Sequence, residues 1–364
     1  MKFIWPVMNR LTNLPIIQES NSFLVILTLF ISGFFMLSGC TTEQYVVLES
    51  DDDSRYRSVA QSGLITDQIY DSFNSIKRIQ STVFYRTYQF NPDELPSRAQ
   101  LEDILFEEIA YHTSAENHSS AGTAVVISRT SNRIGLLTAS HIVSYPDTVW
   151  HYVDGNSGNP DRPVEAVSIR EATSNYIFGA EEAGSFDIEL NDRRRDLALL
   201  TSRIGLGQES EIKPLSIPSG EPAELKWSDI VYSIGYPKGV RMITSGVVSM
   251  SSPSQRDGFR VDSSFNRGFS GGIVFAVRND GRGLEWVGIL TSASADIEFV
   301  LTPGYISDDE YNPELIYEGP IYVKRTPRIN YGITHAVSMS EVRDFLEENS
   351  STLRRLGFSI SRMP

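Results

Sequence analysis

The chain has very few of the residues on which metal and disulfide sites are built. It contains one cysteine, Cys40, in 364 residues, so the fold cannot depend on an internal disulfide bond. There are only five histidines. Apart from His141, which is considered below, they show no metal-ligand spacing: His112, His118, His151 and His335. No glycine-rich phosphate loop lies between a predicted strand and a predicted helix. We therefore expect neither a metal nor another cofactor.

Positive charge is also scarce. The 32 Lys and Arg residues face 46 Asp and Glu residues, which gives a formal net charge of −14. An acidic surface repels phosphate backbones, so the composition argues against a nucleic-acid partner. The hydrophobic fraction of 40%, with 26 Gly and 17 Pro, is typical of a globular protein with many turns.

No apolar run reaches the length of about 20 residues that a membrane-spanning helix needs. The longest run, 23–37, follows Lys2 and Arg10 and ends in Ser-Gly-Cys at Cys40. This length and these flanks are typical of a signal peptide. The ending resembles the lipobox of bacterial lipoproteins, which implies removal of residues 1–39 and lipidation of Cys40. A buried thiol or an uncleaved anchor is the alternative.

The lipobox resemblance implies a chain that is lipid-anchored to a membrane of the bacterial cell envelope. Thr41 after the cysteine favours the outer membrane, on its periplasmic side or at the surface, if the cell has two membranes. The polar residues 40–66 show no sustained period, and we interpret them as a tether. The predicted folded domain covers 67–350, and 351–364 form a tail.

The pattern within the domain indicates an all-β fold. Short runs of β-branched and aromatic residues are bounded by Gly, Pro, Asn and Ser, as in β-strands joined by turns. The clearest predicted strands are 83–90, 123–127, 134–138, 164–169, 197–201, 230–234, 247–250, 272–277, 287–290 and 321–323. Polar stretches interrupt them, and we predict insertions at 91–120, 153–163, 178–195 and 295–320. Residues 338–348 have the spacing of an amphipathic helix that packs on the strands.

Three segments carry residues suited to acyl transfer, which needs a nucleophile, a base and a carboxylate that orients the base. His141 follows the apolar strand 134–138 in the string Thr-Ala-Ser-His. Asp196 stands before the apolar strand 197–201. Asp192 is its competitor, but no apolar strand follows it directly, so Asp196 is the better candidate.

The third segment is Gly-Phe-Ser-Gly-Gly, with Ser270 at its centre. Gly268 permits a sharp turn that lets the backbone N–H groups of Gly268 and Ser270 converge on one oxygen atom. A Gly/Ser-rich hairpin loop is the plain alternative. A nucleophile elbow of the α/β-hydrolase kind requires a helix after the serine, whereas residues 273–277 favour a strand.

Taken together, the three segments resemble the trypsin (chymotrypsin-like) peptidases in motif and in the chain order His, Asp, Ser. The segment Asp262-x-x-x-Asn266-x-Gly-x-Ser-Gly-Gly is similar to the serine box of the HtrA/Deg branch. The resemblance implies two six-stranded Greek-key barrels, about 75–202 and 211–335, that meet at a cleft, with a helix after the second. It also implies a serine endopeptidase acting on polypeptide substrates, with His141, Asp196 and Ser270 as the triad.

The sequence departs from the HtrA/Deg pattern at two points, since we expect no PDZ domain after the predicted peptidase domain and Phe269 stands beside the nucleophile. It also leaves one alternative function open. Phe269 replaces a polar residue beside the nucleophile, which puts the geometry of the oxyanion hole in question. The resemblance places Ser264, Thr291 and Ser292 at the S1 pocket. Because these side chains carry no charge, we expect small or medium apolar P1 residues. The alternative function is a catalytically inactive protease fold that serves as a binding module. The sequence gives no basis for an oligomeric state.

Overall fold

The computed structural model describes most of the predicted domain. The described residues are 63–102, 104–153, 161–180, 183–205, 212–251, 258–303, 319 and 321–359. All of them belong to one compact unit, 52–364. The predicted signal peptide, Cys40 and most of the predicted tether lie outside them. None of the described helices is long and apolar enough to cross a lipid bilayer.

Thirteen strands and six short helices make up the described part of the chain. The strands are β1 (Ile76–Gln89), β2 (His112–Arg129), β3 (Arg133–Thr138), β4 (Thr148–Tyr152), β5 (Val164–Ile177), β6 (Asp187–Asp192), β7 (Leu197–Arg203), β8 (Ile230–Gly235), β9 (Met242–Ser251), β10 (Phe259–Val261), β11 (Ile273–Val277), β12 (Leu284–Pro303) and β13 (Ile321–Ser338). The helices are α1 (Gly63–Ser72), α2 (Arg98–Leu101), α3 (Phe106–Ile109), α4 (Ser140–Val143), α5 (Met339–Glu348) and α6 (Ser350–Arg355).

The first seven strands form one antiparallel sheet in the order β4-β5-β1-β2-β3-β7-β6. Strands β3 and β7 are neighbours inside this sheet and are almost continuously apolar, with β7 buried from Leu197 to Ser202. An isolated bridge between Tyr176 and Ser185 links the end of β5 to the chain just before β6. The sheet therefore curls towards closure.

The other six strands form a closed barrel in the order β10-β13-β12-β11-β8-β9. Even the short strands of this barrel are stable, because each strand is paired on both sides and buries its inner face. The three-residue strand β10, for example, pairs with both β13 and β9. Ser270 lies between β10 and β11, so the closed barrel holds both ends of its loop.

The predicted all-β double-barrel fold with a C-terminal helix is confirmed, with two differences in detail. The first half has seven strands, not six, because the edge strand β4 pairs with β5. Residues 187–192, inside the predicted insertion 178–195, form the edge strand β6. The stretches 112–120 and 295–303, predicted as insertion loops, are parts of β2 and β12. These parts extend beyond the barrels as exposed strands, so they lack the apolar alternation by which a half-buried strand is recognised.

The largest apolar cluster joins the two halves. It brings Ile76 and Val125 of the first sheet together with Ile234 and Ile273 of the barrel, all of them fully buried. Phe345 of α5 belongs to the same cluster. The halves and the closing helix thus share one core, which fixes the position of one half against the other.

The C-terminal helix forms as the sequence predicts. The Ser338 side chain caps α5 by accepting a hydrogen bond from the Glu341 N–H, and Val342, Phe345 and Leu346 are buried. Order continues into the predicted tail, where α6 follows and Phe358 packs against Gly135. At the other end, α1 begins at Gly63, inside the predicted tether. Its two buried apolar side chains, Ile65 and Ile69, belong to the core.

One arginine ties α5 to the turn that precedes β7. The largely buried Arg195 side chain pairs with Asp192 at 2.9 Å, with Glu341 at 2.8 Å and with the exposed Glu348. Burial raises the pKa of the Asp192 carboxyl, but hydrogen bonds from Arg195 and from the Arg194 N–H outweigh this effect and hold the pKa below its usual value. The hydrogen bond from Arg195 likewise lowers the pKa of Glu348.

We expect Arg195→Met to lower the free energy of unfolding by about 3 kcal/mol, because the change leaves the carboxylates of Asp192 and Glu341 without their partner. Urea unfolding at pH 7 measures the change. The matched control is Arg194→Met, which removes the same charge from an exposed neighbour and should cost less than about 0.5 kcal/mol.

Acid provides a second test of this cluster. A carboxyl whose pKa is depressed by folding stabilises the protein above its unfolded pKa of about 4, and that contribution is lost as the pH falls through the folded pKa. The gap in stability between Arg195→Met and the unmodified chain should therefore shrink below about pH 4. A gap that stays constant down to pH 2 would show that the ion pairs are not its source.

Candidate active site

His141 lies at the point where a buried strand ends. Strand β3 is buried from Ile134 to Thr138, and Ala139 leads into the single-turn helix α4. On this turn Ile142 and Val143 point into the core while about half of the His141 side chain stays exposed. The strand thus anchors the imidazole while solvent and a ligand can still reach it.

Asp196 fixes both the backbone and the ring of His141. Its Oδ1 accepts a hydrogen bond from the His141 N–H at 2.9 Å, and its Oδ2 lies 2.8 Å from His141 Nδ1. Its carbonyl oxygen accepts a third bond, from the Ser140 N–H. A carboxylate beside Nδ1 favours the tautomer that carries the proton there, which leaves the lone pair of Nε2 free to act as a base.

Asp196 makes these contacts from an uncommon backbone conformation. Its φ angle is +55°, in the left-handed region that few residues other than glycine occupy and that aspartate tolerates better than most. Asp192 makes no such contact with His141. Its carboxylate instead accepts hydrogen bonds from the N–H groups of Arg194 and Arg195. The structure therefore brings Asp196, not Asp192, against the imidazole.

Ser270 lies in the tight turn between β10 and β11. Its Oγ donates a hydrogen bond to the carbonyl oxygen of Thr291, at 3.0 Å. Among the described residues, it makes no hydrogen bond to His141. The two segments nevertheless converge on Gly122, where a side chain would meet Ile142 Cδ1 at 2.3 Å and the Ser270 carbonyl oxygen at 2.9 Å.

The backbone before Ser270 is turned so that two N–H groups stay free. The carbonyl oxygen of Arg267 accepts a hydrogen bond from the Lys238 N–H at 3.0 Å. In a trans peptide the N–H points opposite to the C=O, so the Gly268 N–H is directed away from Lys238. Within the described part of the chain, neither the Gly268 N–H nor the Ser270 N–H donates a hydrogen bond. Both N–H groups thus lack an acceptor among the described residues.

Glycine is needed at two positions of this turn. Gly268 has φ +106°, and a Cβ there would lie 2.3 Å from the Tyr236 carbonyl oxygen. Gly271 has φ +79°, and a Cβ there would lie 1.9 Å from the Thr123 carbonyl oxygen. The motif glycines are therefore explained by close approach of the neighbouring strands.

Phe269 points into the core. Its ring is 2% exposed and lies 6.1 Å from the ring of Phe265. Gly235 leaves the space that the ring fills, since a side chain there would meet Phe269 Cδ1 at 2.8 Å. The phenyl group thus belongs to the apolar interior of the barrel.

Thr123 holds the serine turn against the first sheet, a role that the sequence did not indicate. Its N–H donates to the Ser270 carbonyl oxygen at 2.8 Å. Its Oγ1 donates to the Gly268 carbonyl oxygen at 2.7 Å and accepts from the Tyr236 N–H at 2.9 Å. The residue appeared only as the first of a predicted strand, because nothing in a strand pattern distinguishes a threonine that bonds to a distant loop.

The three residues predicted for the S1 pocket lie on two segments. Ser264 and Ser292 are exposed, whereas Thr291 is buried and offers its carbonyl oxygen to Ser270. Between Ser264 and the nucleophile the chain passes through the buried Phe265. All three predicted side chains are uncharged.

The remaining histidines form no second cluster. His151 Nε2 lies 2.8 Å from Ser168 Oγ, which in turn bonds to Thr87. Burial, with a smaller contribution from Arg260, lowers the pKa of His335. Over the ranges that the structure describes, no three His, Cys, Asp or Glu side chains are arranged to hold a metal ion.

We expect Thr123→Val to lower the free energy of unfolding by about 2 kcal/mol, because it leaves the buried Gly268 carbonyl and the Tyr236 N–H without their partner. Thr123→Ser keeps the hydroxyl and should cost only about 1 kcal/mol, the effect of one lost methyl group. Denaturant unfolding of both variants makes the comparison. Equal losses would mean that packing, not hydrogen bonding, holds the turn.

Three solved structures resemble the chain only loosely. The serine endoprotease from Yersinia pestis gives a TM-score of 0.38 and 15% identity over 78% of this chain and 65% of that one. The inactive form of the Rv3671c protease gives a TM-score of 0.39 and 14% identity, over 78% of this chain and 94% of that one. Deg5 gives a TM-score of 0.32 and 16% identity, over 62% of this chain and 83% of that one. The chain thus spans slightly less than two thirds of the Yersinia pestis protein.

Comparison with curated proteins gave no match. The family comparison did: residues 122–289 match the trypsin-like peptidase domain. The matched range begins at Gly122, beside Thr123, and includes His141, Asp196 and Ser270. Over this range the chain is similar to the trypsin-like peptidase family, and its double-barrel architecture agrees with that similarity.

Proposed function

We propose that the protein is a serine endopeptidase in which Ser270 is the nucleophile, His141 the general base and Asp196 the residue that orients His141. The observation that carries the proposal is the pair of hydrogen bonds between Asp196 and His141. The free N–H groups of Gly268 and Ser270 support it, as does the trypsin-like peptidase match.

In the proposed reaction, Ser270 Oγ attacks the carbonyl carbon of the scissile peptide bond while His141 Nε2 takes its proton. The negative charge that develops on the carbonyl oxygen is stabilised by the Gly268 and Ser270 N–H groups. The imidazolium then protonates the leaving amine, and the C–N bond breaks to give an acyl-enzyme on Ser270. A water molecule, deprotonated by His141, hydrolyses this ester and restores the serine.

The hydrogen bond from Ser270 to Thr291 represents a resting arrangement in this scheme. Rotation about the Cα–Cβ bond of Ser270 exchanges the Thr291 carbonyl for His141 Nε2 as acceptor. One hydrogen bond replaces another, so the exchange needs little free energy. Catalytic hydrogen bonds are commonly long or misaligned before a substrate binds, so the observed rotamer is compatible with activity.

The proposed specificity follows from the absence of charge at the S1 residues. An uncharged Ser264, with Thr291 and Ser292, gives no ionic attraction for Lys or Arg side chains. Small or medium apolar P1 residues would gain transfer free energy there without leaving a charge unpaired. The loops around the pocket set its shape and hence the choice among such residues.

The rival function is a binding module with a silent active site. The intact His141–Asp196 pair favours the enzyme, since a module without catalysis has no need for an imidazole held by a carboxylate in an uncommon backbone conformation. A fluorophosphonate probe, which reacts with activated serine hydroxyls, separates the two.

Ser270→Ala should abolish casein hydrolysis and fluorophosphonate labelling while changing the free energy of unfolding by less than about 1 kcal/mol, because it removes one hydroxyl. His141→Ala should be about as damaging, and the double variant scarcely worse, because the residues act as a unit. Labelling that persists in Ser270→Ala would assign the nucleophile to another residue.

Asp196→Asn should lower kcat by about 10⁴, because an amide in place of the carboxylate favours the wrong imidazole tautomer. Steady-state kinetics on a fluorogenic peptide measures the loss. The control is Asp192→Asn, assayed well below its unfolding temperature because Asp192 pairs with Arg195. This variant should keep kcat within a few-fold of the unmodified chain, and the reverse ranking would exchange the two roles.

We further propose that the peptidase is lipid-anchored through Cys40, which lies outside the described residues. Cys40→Ser should yield an unprocessed precursor that incorporates no palmitate in metabolic labelling of bacterial cells. The several acyl chains of a lipoprotein hold a protein stably, whereas one chain binds only marginally. Unchanged labelling of the variant would refute the anchor without affecting the proposed chemistry.

A further inference from the structure

Strand β2 has one edge that is only half used. Strand β1 pairs with it from His112 to Val125, whereas β3 pairs with it only from Ala124 to Arg129. Among the described residues, no strand covers the second edge of β2 from His112 to Gly122. This free edge is about ten residues long.

The direction of the backbone groups along this edge follows from Thr123. In an antiparallel pair the N–H and C=O of one residue point to the same side, and the side alternates along the strand. Thr123 directs both groups away from β1, to the Ser270 carbonyl and the Thr138 hydroxyl. The pairing with β1 has no register shift, so every second residue before Thr123 faces the free edge: Ala121, Ser119, Asn117, Ala115 and Thr113.

The free edge lacks the features that normally protect an edge strand. Folded proteins block such edges with lysine, proline, bulges or very short strands. The other two edges of the sheet, β4 and β6, have five and six residues. Residues 112–122 contain no Lys, Arg or Pro, and the residues that face the edge are all exposed. A long unprotected edge is suited to accept an added strand.

The edge begins beside the proposed nucleophile. Ala121 is two residues from Thr123, whose N–H bonds to the Ser270 carbonyl. From Ala121 to Thr113 it extends roughly 27 Å, at about 3.4 Å per residue. A chain that leaves the Ser270 turn along this edge, away from Thr123, runs antiparallel to β2.

We infer that the edge of β2 from Ser119 back to Thr113 binds the part of an extended polypeptide substrate that lies C-terminal to the scissile bond, as an added antiparallel strand. The inference rests on the proposed function for the identity of the bound segment. Backbone hydrogen bonds supply the affinity, so the edge favours unfolded or extended segments over any particular sequence. The exposed Phe84, paired with Asn117 across the ladder, offers an apolar contact on the same face.

Binding to the full-length Ser270→Ala variant tests the edge without requiring catalysis. Two fluorescent peptides share the residues up to the second position after the scissile bond, and one continues for six more. Fluorescence anisotropy should show the long peptide binding at least tenfold more tightly, since each added backbone hydrogen bond contributes a few-fold. Equal dissociation constants would overturn the inference.

Backbone methylation of the long peptide supplies a pattern that no other contact produces. N-methylation of one residue in the added segment should weaken binding if its N–H points to β2, whereas methylation of the next residue, whose N–H points to solvent, should not. On the protein side, Asn117→Pro removes an edge N–H and should reduce the long-to-short affinity ratio towards one. Asn117→Ala keeps the N–H and should preserve the ratio. Methylation effects that show no alternation would refute strand addition.

Two further results distinguish this inference from the proposed function and from dimer formation through the same edge. If the long peptide binds with the alternating pattern but the unmodified chain neither cleaves it nor labels with a fluorophosphonate, the proposed function fails and the edge stands. If analytical ultracentrifugation shows a dimer that Asn117→Pro converts to monomer, the edge pairs with a second copy of the chain, and substrate is not its occupant.

Discussion

The hydrogen bonds of Thr123 join the two halves of the protein at the point where the proposed chemistry occurs. One side chain and one N–H of the first sheet hold the Gly268 and Ser270 carbonyls of the closed barrel. Gly271 lies so close to the same strand that no side chain fits. The position of the serine turn relative to His141 therefore depends on this contact, and the shared apolar core behind it keeps the two halves in register.

The turn that carries Asp196 is fixed by charge rather than by apolar packing. Asp196 occupies a left-handed conformation that costs free energy unless its surroundings hold it. The neighbouring Arg195 pairs with Asp192 and with Glu341 of α5. The C-terminal helix is thus tied to the turn that carries Asp196, although the helix lies outside the matched peptidase range. The two aspartates of this turn therefore have different contacts: Asp192 pairs with Arg195, and Asp196 bonds to His141.

Three strands, β2, β12 and β13, extend beyond the barrels as exposed segments. Residues 112–122 of β2 pair on one side only, with β1. The exposed parts of β12 and β13 pair with each other. Most side chains of these segments are exposed. Such strands are held by backbone hydrogen bonds, so their side chains are free to be polar. A site for extended polypeptide fits this construction, because the same backbone groups that build a sheet can bind a further strand.

The sequence by itself determined the chemistry-bearing motifs, the β-rich class and the closing helix. These features depend on local patterns: the glycines around Ser270, the apolar runs behind His141 and Asp196, and the helical spacing of Val342, Phe345 and Leu346. Burial imposes such patterns on the chain, so they can be detected without coordinates.

Only the tertiary structure decided which contacts those motifs make. The bonds of Thr123 to Gly268, of Lys238 to Arg267 and of Ser270 to Thr291 join residues far apart in the sequence, and hydrogen bonds leave no periodic trace in either partner. The orientation of the Phe269 ring depends on the space left by the missing side chain of Gly235. The free edge of β2 could not be predicted either, because a strand that is exposed on its edge and polar on its faces has the composition of a loop.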